Sequence, residues 1–127
     1  MMNLLLIGAG GALGAISRYL TGQAAARLFG MDQPWGTFIV NIAGGLAMGV
    51  LIGWLSLSER ADENAIRLFA ATGFLGGFTT FSAYSLELAL MIERKAWLNA
   101  LLYAAGSVVL ALLAVMAGLI LIRRVMA

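Results

Sequence analysis

Four long apolar stretches, each bounded by short polar ones, organise the chain from end to end. The first is free of charge from Met1 to Ser17 and continues through Arg18, Tyr19 and Leu20. It predicts a helix over residues 3–25, with Ser17, Arg18, Thr21 and Gln23 nearing a water-accessible end. A signal peptide carries its positive charge ahead of its apolar stretch. Here Arg18 follows it and no small-residue cleavage pattern precedes a soluble domain, so the stretch reads as a resident helix. The only proline, Pro34, lies in a polar loop before a second helix over 36–57. After the polar loop from Ser58 to Asn64 comes a third helix over 65–92. Glu93-Arg94-Lys95 then turns the chain into a fourth over 96–122, closed by Arg123 and Arg124 as interfacial anchors. A bilayer core about 30 Å thick needs roughly 20 apolar residues per helix, and each stretch meets that length. The expected fold is an all-α membrane protein whose residues 1–127 form a single transmembrane domain.

The third stretch departs from the pattern. Gly73-Phe74-Leu75-Gly76-Gly77-Phe78-Thr79-Thr80 joins three glycines to paired β-branched threonines, a poor composition for continuous helix. A break near 73–80 is therefore expected, close to mid-membrane. Non-helical backbone at that depth survives only where it is buried in protein or lines a cavity. The residues leave two readings open. One is a kink holding water; the other is freed carbonyl oxygens that hold Na⁺, as broken transmembrane helices do. Elsewhere Gly10/Gly14, Gly45/Gly49, Gly49/Gly53 and Gly73/Gly77 recur at the four-residue spacing that lets helix backbones approach closely.

Composition agrees with the membrane reading. Hydrophobic residues make up 62% of the chain and charged ones 11%, against about 25% charged in soluble domains. The chain has neither His nor Cys, which excludes zinc sites, thiol nucleophiles and His-based acid–base catalysis, so no enzyme is expected. A net charge of +2, spread thinly, gives no basic patch for nucleic acid.

Charge placement bears on topology. Arg60, Arg67, Arg123 and Arg124 fall on one side of the membrane, and Arg27, Arg94 and Lys95 on the other, joined by Arg18 if it faces that vestibule. Orientation is set by an excess of Lys and Arg in cytoplasmic loops, and this chain supplies none. It fits insertion both ways round and pairing with an inverted copy about a two-fold axis; a weakly biased single topology is the other option.

Two sequence features concern chemistry. Gly8-Ala9-Gly10-Gly11-Ala12-Leu13-Gly14 imitates a dinucleotide-binding turn, with Asp32 downstream, but Leu13 takes the third glycine position and no βαβ pattern follows. It is a glycine-rich helix face. The polar residues within the apolar stretches are Asn41, Thr72, Thr79, Thr80, Ser82, Ser85, Tyr103 and Ser107, with Arg18, Thr37 and Glu87 nearer the ends. Polar groups in a bilayer are costly and mark function. Neutral donors along a narrow path suit a small anion that sheds water without being trapped. Phe81 and Tyr84 lie on one stripe beyond the break, where a ring edge carries partial positive charge. Tyr103 and Ser107 lie one turn apart on the fourth helix.

The run Gly76-Gly77-Phe78-Thr79-Thr80-Phe81-Ser82-Ala83-Tyr84-Ser85 resembles the third-helix signature of the CrcB/Fluc fluoride channels. Gly36-Thr37-Phe38-Ile39-Val40-Asn41-Ile42-Ala43-Gly44 and Gly11-Ala12-Leu13-Gly14-Ala15-Ile16-Ser17-Arg18-Tyr19 are similar to two further motifs of that family. The resemblance spans essentially the whole chain and implies a multi-pass inner-membrane channel that exports fluoride passively. It further implies an antiparallel, dual-topology homodimer in the lipid bilayer, with a structural Na⁺ on the backbone carbonyls of Gly76 and Thr79. By the same resemblance Asn41, Phe81, Tyr84, Tyr103, Ser107 and Ser82 line the fluoride pore, and Arg18 stands in its vestibule. Two positions depart from the family pattern: Tyr84 replaces a phenylalanine and Ala83 a threonine. The competing expectation is a small four-helix, proton-coupled multidrug exporter. Such a protein needs an embedded carboxylate, and Glu87 is placed near the membrane edge, about 13 Å past the break at 1.5 Å per residue.

Overall fold

The apolar stretches are helical in the computed structural model, which describes residues 1–127. In chain order the elements are α1 (Met2–Phe29), α2 (Trp35–Leu57), α3 (Glu63–Ile66), a π-helical segment (Arg67–Leu75), α4 (Gly76–Phe78), α5 (Phe81–Glu93) and α6 (Trp97–Met126). Met2–Phe29, Trp35–Leu57, Glu63–Glu93 and Trp97–Met126 are each long and apolar enough to cross a membrane. The chain is a multi-pass membrane protein built of helices alone.

Helix ends reach past the apolar runs that predicted them. α1 extends to Phe29 because Ala26, Arg27, Leu28 and Phe29 continue the backbone ladder, down to the Gly30 N–H bonded to the Ala26 carbonyl at 3.0 Å. Gly30 then turns the chain at φ 82°, a left-handed value that glycine adopts without steric cost. In the third span the interruption is narrower than its composition predicts. Gly73 to Phe78 stays helical, and only Thr79 (φ −83°, ψ 157°) and Thr80 (φ −152°, ψ 122°) are extended before α5 begins. The glycines there serve packing more than interruption.

That packing is backbone against backbone. A Cβ on Gly49 of α2 would collide with the Val115 carbonyl of α6, and one on Gly118 would lie 2.5 Å from the Leu46 carbonyl. On the other flank a Cβ on Gly14 of α1 would collide with the Phe74 carbonyl, and one on Gly77 would lie 2.5 Å from the Gly11 carbonyl. Lipid tails are as apolar as leucine, so helices associate through such close fit rather than through water exclusion. Accordingly the interior is thin. Its largest fully buried side chains are Leu55, Met91 and Val40, while leucines along α1 and α6 face outward. A small cluster of Tyr84, Met91, Ala100 and Tyr103 joins α5 to α6.

Candidate functional site: a cavity at the helix interruption

Two extended residues inside a membrane span must find partners for their backbone groups, because lipid offers none. Asn41, on α2, supplies them. Its Nδ2 donates to the Thr80 carbonyl at 2.9 Å, and its Oδ1 accepts from the Thr80 N–H at 2.8 Å. The side-chain amide thus replaces a missing turn of helix. Nδ2 carries a second N–H, which the Thr80 carbonyl does not use. Thr80 in turn caps α5, its Oγ1 accepting from the Ala83 N–H at 3.2 Å, while the Thr79 hydroxyl donates back to the Leu75 carbonyl at 2.8 Å. Gly44 admits this arrangement, since a Cβ there would strike the Thr79 methyl.

Beside the interruption lies a cavity of about 320 Å³ lined by Asn41, Thr79, Thr80, Phe81, Tyr84 and Ser107, among others. Ser107 is 5% exposed, and its hydroxyl has no hydrogen-bond partner. Buried polar atoms are nearly always paired, and this hydroxyl is free to donate into the cavity that Ser107 lines. Phe81 and Tyr84 line it with their rings, 5.5 Å apart between centroids, and Tyr103 packs behind Tyr84 at 5.3 Å without lining this cavity. The Tyr84 hydroxyl donates to the Ala104 carbonyl of α6 at 2.9 Å. The extra hydroxyl is therefore directed away from the cavity, which meets the same ring a phenylalanine would offer. Phe81 is 76% exposed, so the cavity is open on that side.

Past Tyr103 the polar path continues to a carboxylate. Glu87 accepts from the Thr37 hydroxyl at 2.7 Å and from the Tyr103 hydroxyl at 2.6 Å, one on each oxygen. All three residues are visible as polar positions in the apolar stretches, but their grouping is not. It joins α2, α5 and α6 across sequence separations of 50 and 16 residues, and only tertiary packing creates it.

Other expected site residues lie apart from the cavity. Ser82 is exposed and its hydroxyl pairs with Thr80 Oγ1 at 3.3 Å. Gly76 is exposed on the outer face of α4. Arg18 is half-buried on α1 and belongs to neither ion pair of the molecule, Arg60–Asp62 or Arg67–Glu63.

Membrane-crossing helices around a cavity of neutral donors and aromatic rings define a small polytopic transport protein rather than a catalyst. Residues 5–119 match the family model described as CrcB-like protein, Camphor Resistance. The chain is 56% identical over 127 residues, the whole of both sequences, to a protein of Phenylobacterium zucineum named fluoride-specific ion channel FluC. Proteins of the same name from Caulobacter sp. (strain K31), 53% identical over 98% of each chain, and Caulobacter vibrioides, 48% identical over the full length, are similarly related. The chain belongs to the CrcB family.

Proposed function

We propose that this chain is a fluoride-specific ion channel, not an enzyme, through which fluoride leaves the cytoplasm passively across the inner membrane. The observation that carries this reading is the cavity itself: an unpartnered Ser107 hydroxyl, a spare Asn41 N–H and the Phe81 ring gathered around one space. Fluoride is small and strongly hydrated; neutral donors replace its water without the deep trap a cation would make. From the cavity the ion passes the Tyr84–Tyr103 wall to the Thr37 and Tyr103 hydroxyls, which exchange Glu87 for fluoride as acceptor.

Two copies assemble antiparallel, with the interruption at mid-membrane on their common axis. The open side of the cavity, the 76% exposure of Phe81 and the exposure of Gly76 support this pairing. A Na⁺ at that axis fits the local backbone. In an unbroken helix the Gly76 and Thr79 carbonyls would accept from Thr80 and Ala83. Those N–H groups go instead to Asn41 Oδ1 and Thr80 Oγ1. The carbonyls of Gly76 and Thr79 would hold the ion, whose role there is structural. An ion-free site at Gly76 and Thr79 in cation-competition or anomalous-scattering data would remove it.

The exporter reading finds its embedded carboxylate only in Glu87, whose two oxygens are already taken by hydroxyls. Fluoride efflux from liposomes carrying the purified protein separates the two functions. Efflux no faster than from empty vesicles, or cation resistance in cells without fluoride flux, defeats the channel reading.

A further inference from the structure

Glu87 does not end the polar path. Its carboxylate also forms part of a second cavity of about 190 Å³, walled by the loop residues Asp32, Gln33 and Pro34 on one side and by Leu90 and Arg94 on the other. This cavity lies where α5 meets the turn to α6, at the water-facing end of the span. Arg94 reaches it with a free charge: its Nε donates to the Leu90 carbonyl at 3.3 Å, and no carboxylate lies within ion-pair distance. Asp32, on the opposite wall, is likewise without a cationic partner. One guanidinium thus shares the cavity with two carboxylates, Asp32 and Glu87, the latter being the acceptor of the Thr37 and Tyr103 hydroxyls. Among the residues lining the cavity, Arg94 is the one cation set against these two carboxylates.

We infer that this cavity is an ion mouth of the channel, in which Arg94 draws fluoride toward the Glu87 hydroxyl pair and Asp32 opposes its entry. The inference rests on the proposed fluoride path through Glu87. A charge at a mouth acts on the rate of arrival, raising or lowering the local ion concentration without touching the selective site. Its influence also depends on salt, because screening shortens from about 30 Å at 0.01 M to about 3 Å at 1 M.

The test is initial fluoride efflux from proteoliposomes at low and high concentrations of an inert potassium salt. At low salt Arg94→Gln lowers efflux by about threefold or more and Asp32→Asn raises it, with the double variant between the two. At high salt all three converge on the wild-type rate. Lys95→Gln, which removes the neighbouring charge outside the cavity, lowers low-salt efflux less than Arg94→Gln does and leaves it near wild type at high salt. Equal low-salt rates for Arg94→Gln, Asp32→Asn and wild type overturn the mouth while leaving the channel intact. So does a loss in Lys95→Gln as large as in Arg94→Gln. Absence of efflux in the wild type overturns the channel reading itself. Should Arg94→Gln fail to yield folded protein, the rise in Asp32→Asn carries the decision.

Discussion

The seam between α2 and α6 and the interruption at Thr79 and Thr80 meet the same constraint by opposite means. Backbone polar groups in a bilayer must be satisfied within the protein. Along the seam both helices are unbroken, and the contact is steric: Gly49 and Gly118 let each backbone touch the other's carbonyls. At the interruption the ladder is cut, and side chains take its place, Asn41 for Thr80 and Thr80 for the start of α5. The seam has no chemistry to offer, because every donor and acceptor is consumed within its own helix. The interruption leaves the Gly76 and Thr79 carbonyls, among others, and a spare amide N–H outside any helical bond. Function collects where the regular structure is relinquished and rebuilt from side chains.

Substitutions that attack each region separate these roles. The largest effect belongs to Gly49→Leu, whose side chain has no room against the Val115 carbonyl. Overpacking a fitted contact costs about 1–3 kcal/mol or more, and with backbone on both sides nothing yields. The expected outcome is loss of folded protein on size-exclusion chromatography, with flux lost as a consequence. Asn41→Asp should behave differently. The carboxylate keeps the acceptor for the Thr80 N–H but loses the donor to its carbonyl, and it places a negative charge beside the anion path. Folded protein is expected in reduced but measurable yield, with fluoride efflux per folded protein down at least about tenfold, a barrier increase of about 1.4 kcal/mol.

Much of this contrast is legible in the amino-acid sequence. The four spans follow from run length, and the glycine spacing marks close helix contacts. The mixture of glycine and threonine marks the third span as irregular. Its extent is not legible, because Gly73 to Phe78 is held helical by contact with α1, a tertiary effect. Asn41 stands out as a costly polar residue, yet nothing local reveals that Thr80 is its partner. Counting residues puts Glu87 toward the membrane edge, but its hydroxyl partners come from two other helices. Tyr84 shows the same limit in reverse: the sequence displays an added hydroxyl, and only the position of the Ala104 carbonyl reveals where it goes.

Tyr84→Phe sharpens that point with a smaller effect. One neutral hydrogen bond is lost, worth about 1 kcal/mol, so thermal stability in detergent should fall modestly. Fluoride efflux should stay within about twofold of wild type, a barrier change of less than about 0.5 kcal/mol, because the ring facing the cavity is unchanged. A collapse of flux would mean that the hydroxyl serves the ion directly.

The smallest effect lies outside the membrane. The hydrogen bond from Arg60 holds the Asp62 carboxyl below the usual carboxylate range. Its folded-state pKa is depressed, so any stabilisation is present above the ordinary carboxylate pKa and is lost as the pH falls through the lowered value. Exposed pairs of this kind contribute little. Asp62→Asn should leave the unfolding midpoint at neutral pH and the fluoride flux unchanged, in contrast to both regions above.

The central claim is that the donors gathered at the interruption pass fluoride and reject its larger relative. Proteoliposomes loaded with equal fluoride and chloride, and followed by electrodes for both ions in one vessel, test it most directly. Rapid fluoride efflux from wild-type vesicles is expected, while chloride stays at the rate of protein-free vesicles. Parallel release of the two ions, or fluoride retained as in empty vesicles, would contradict it.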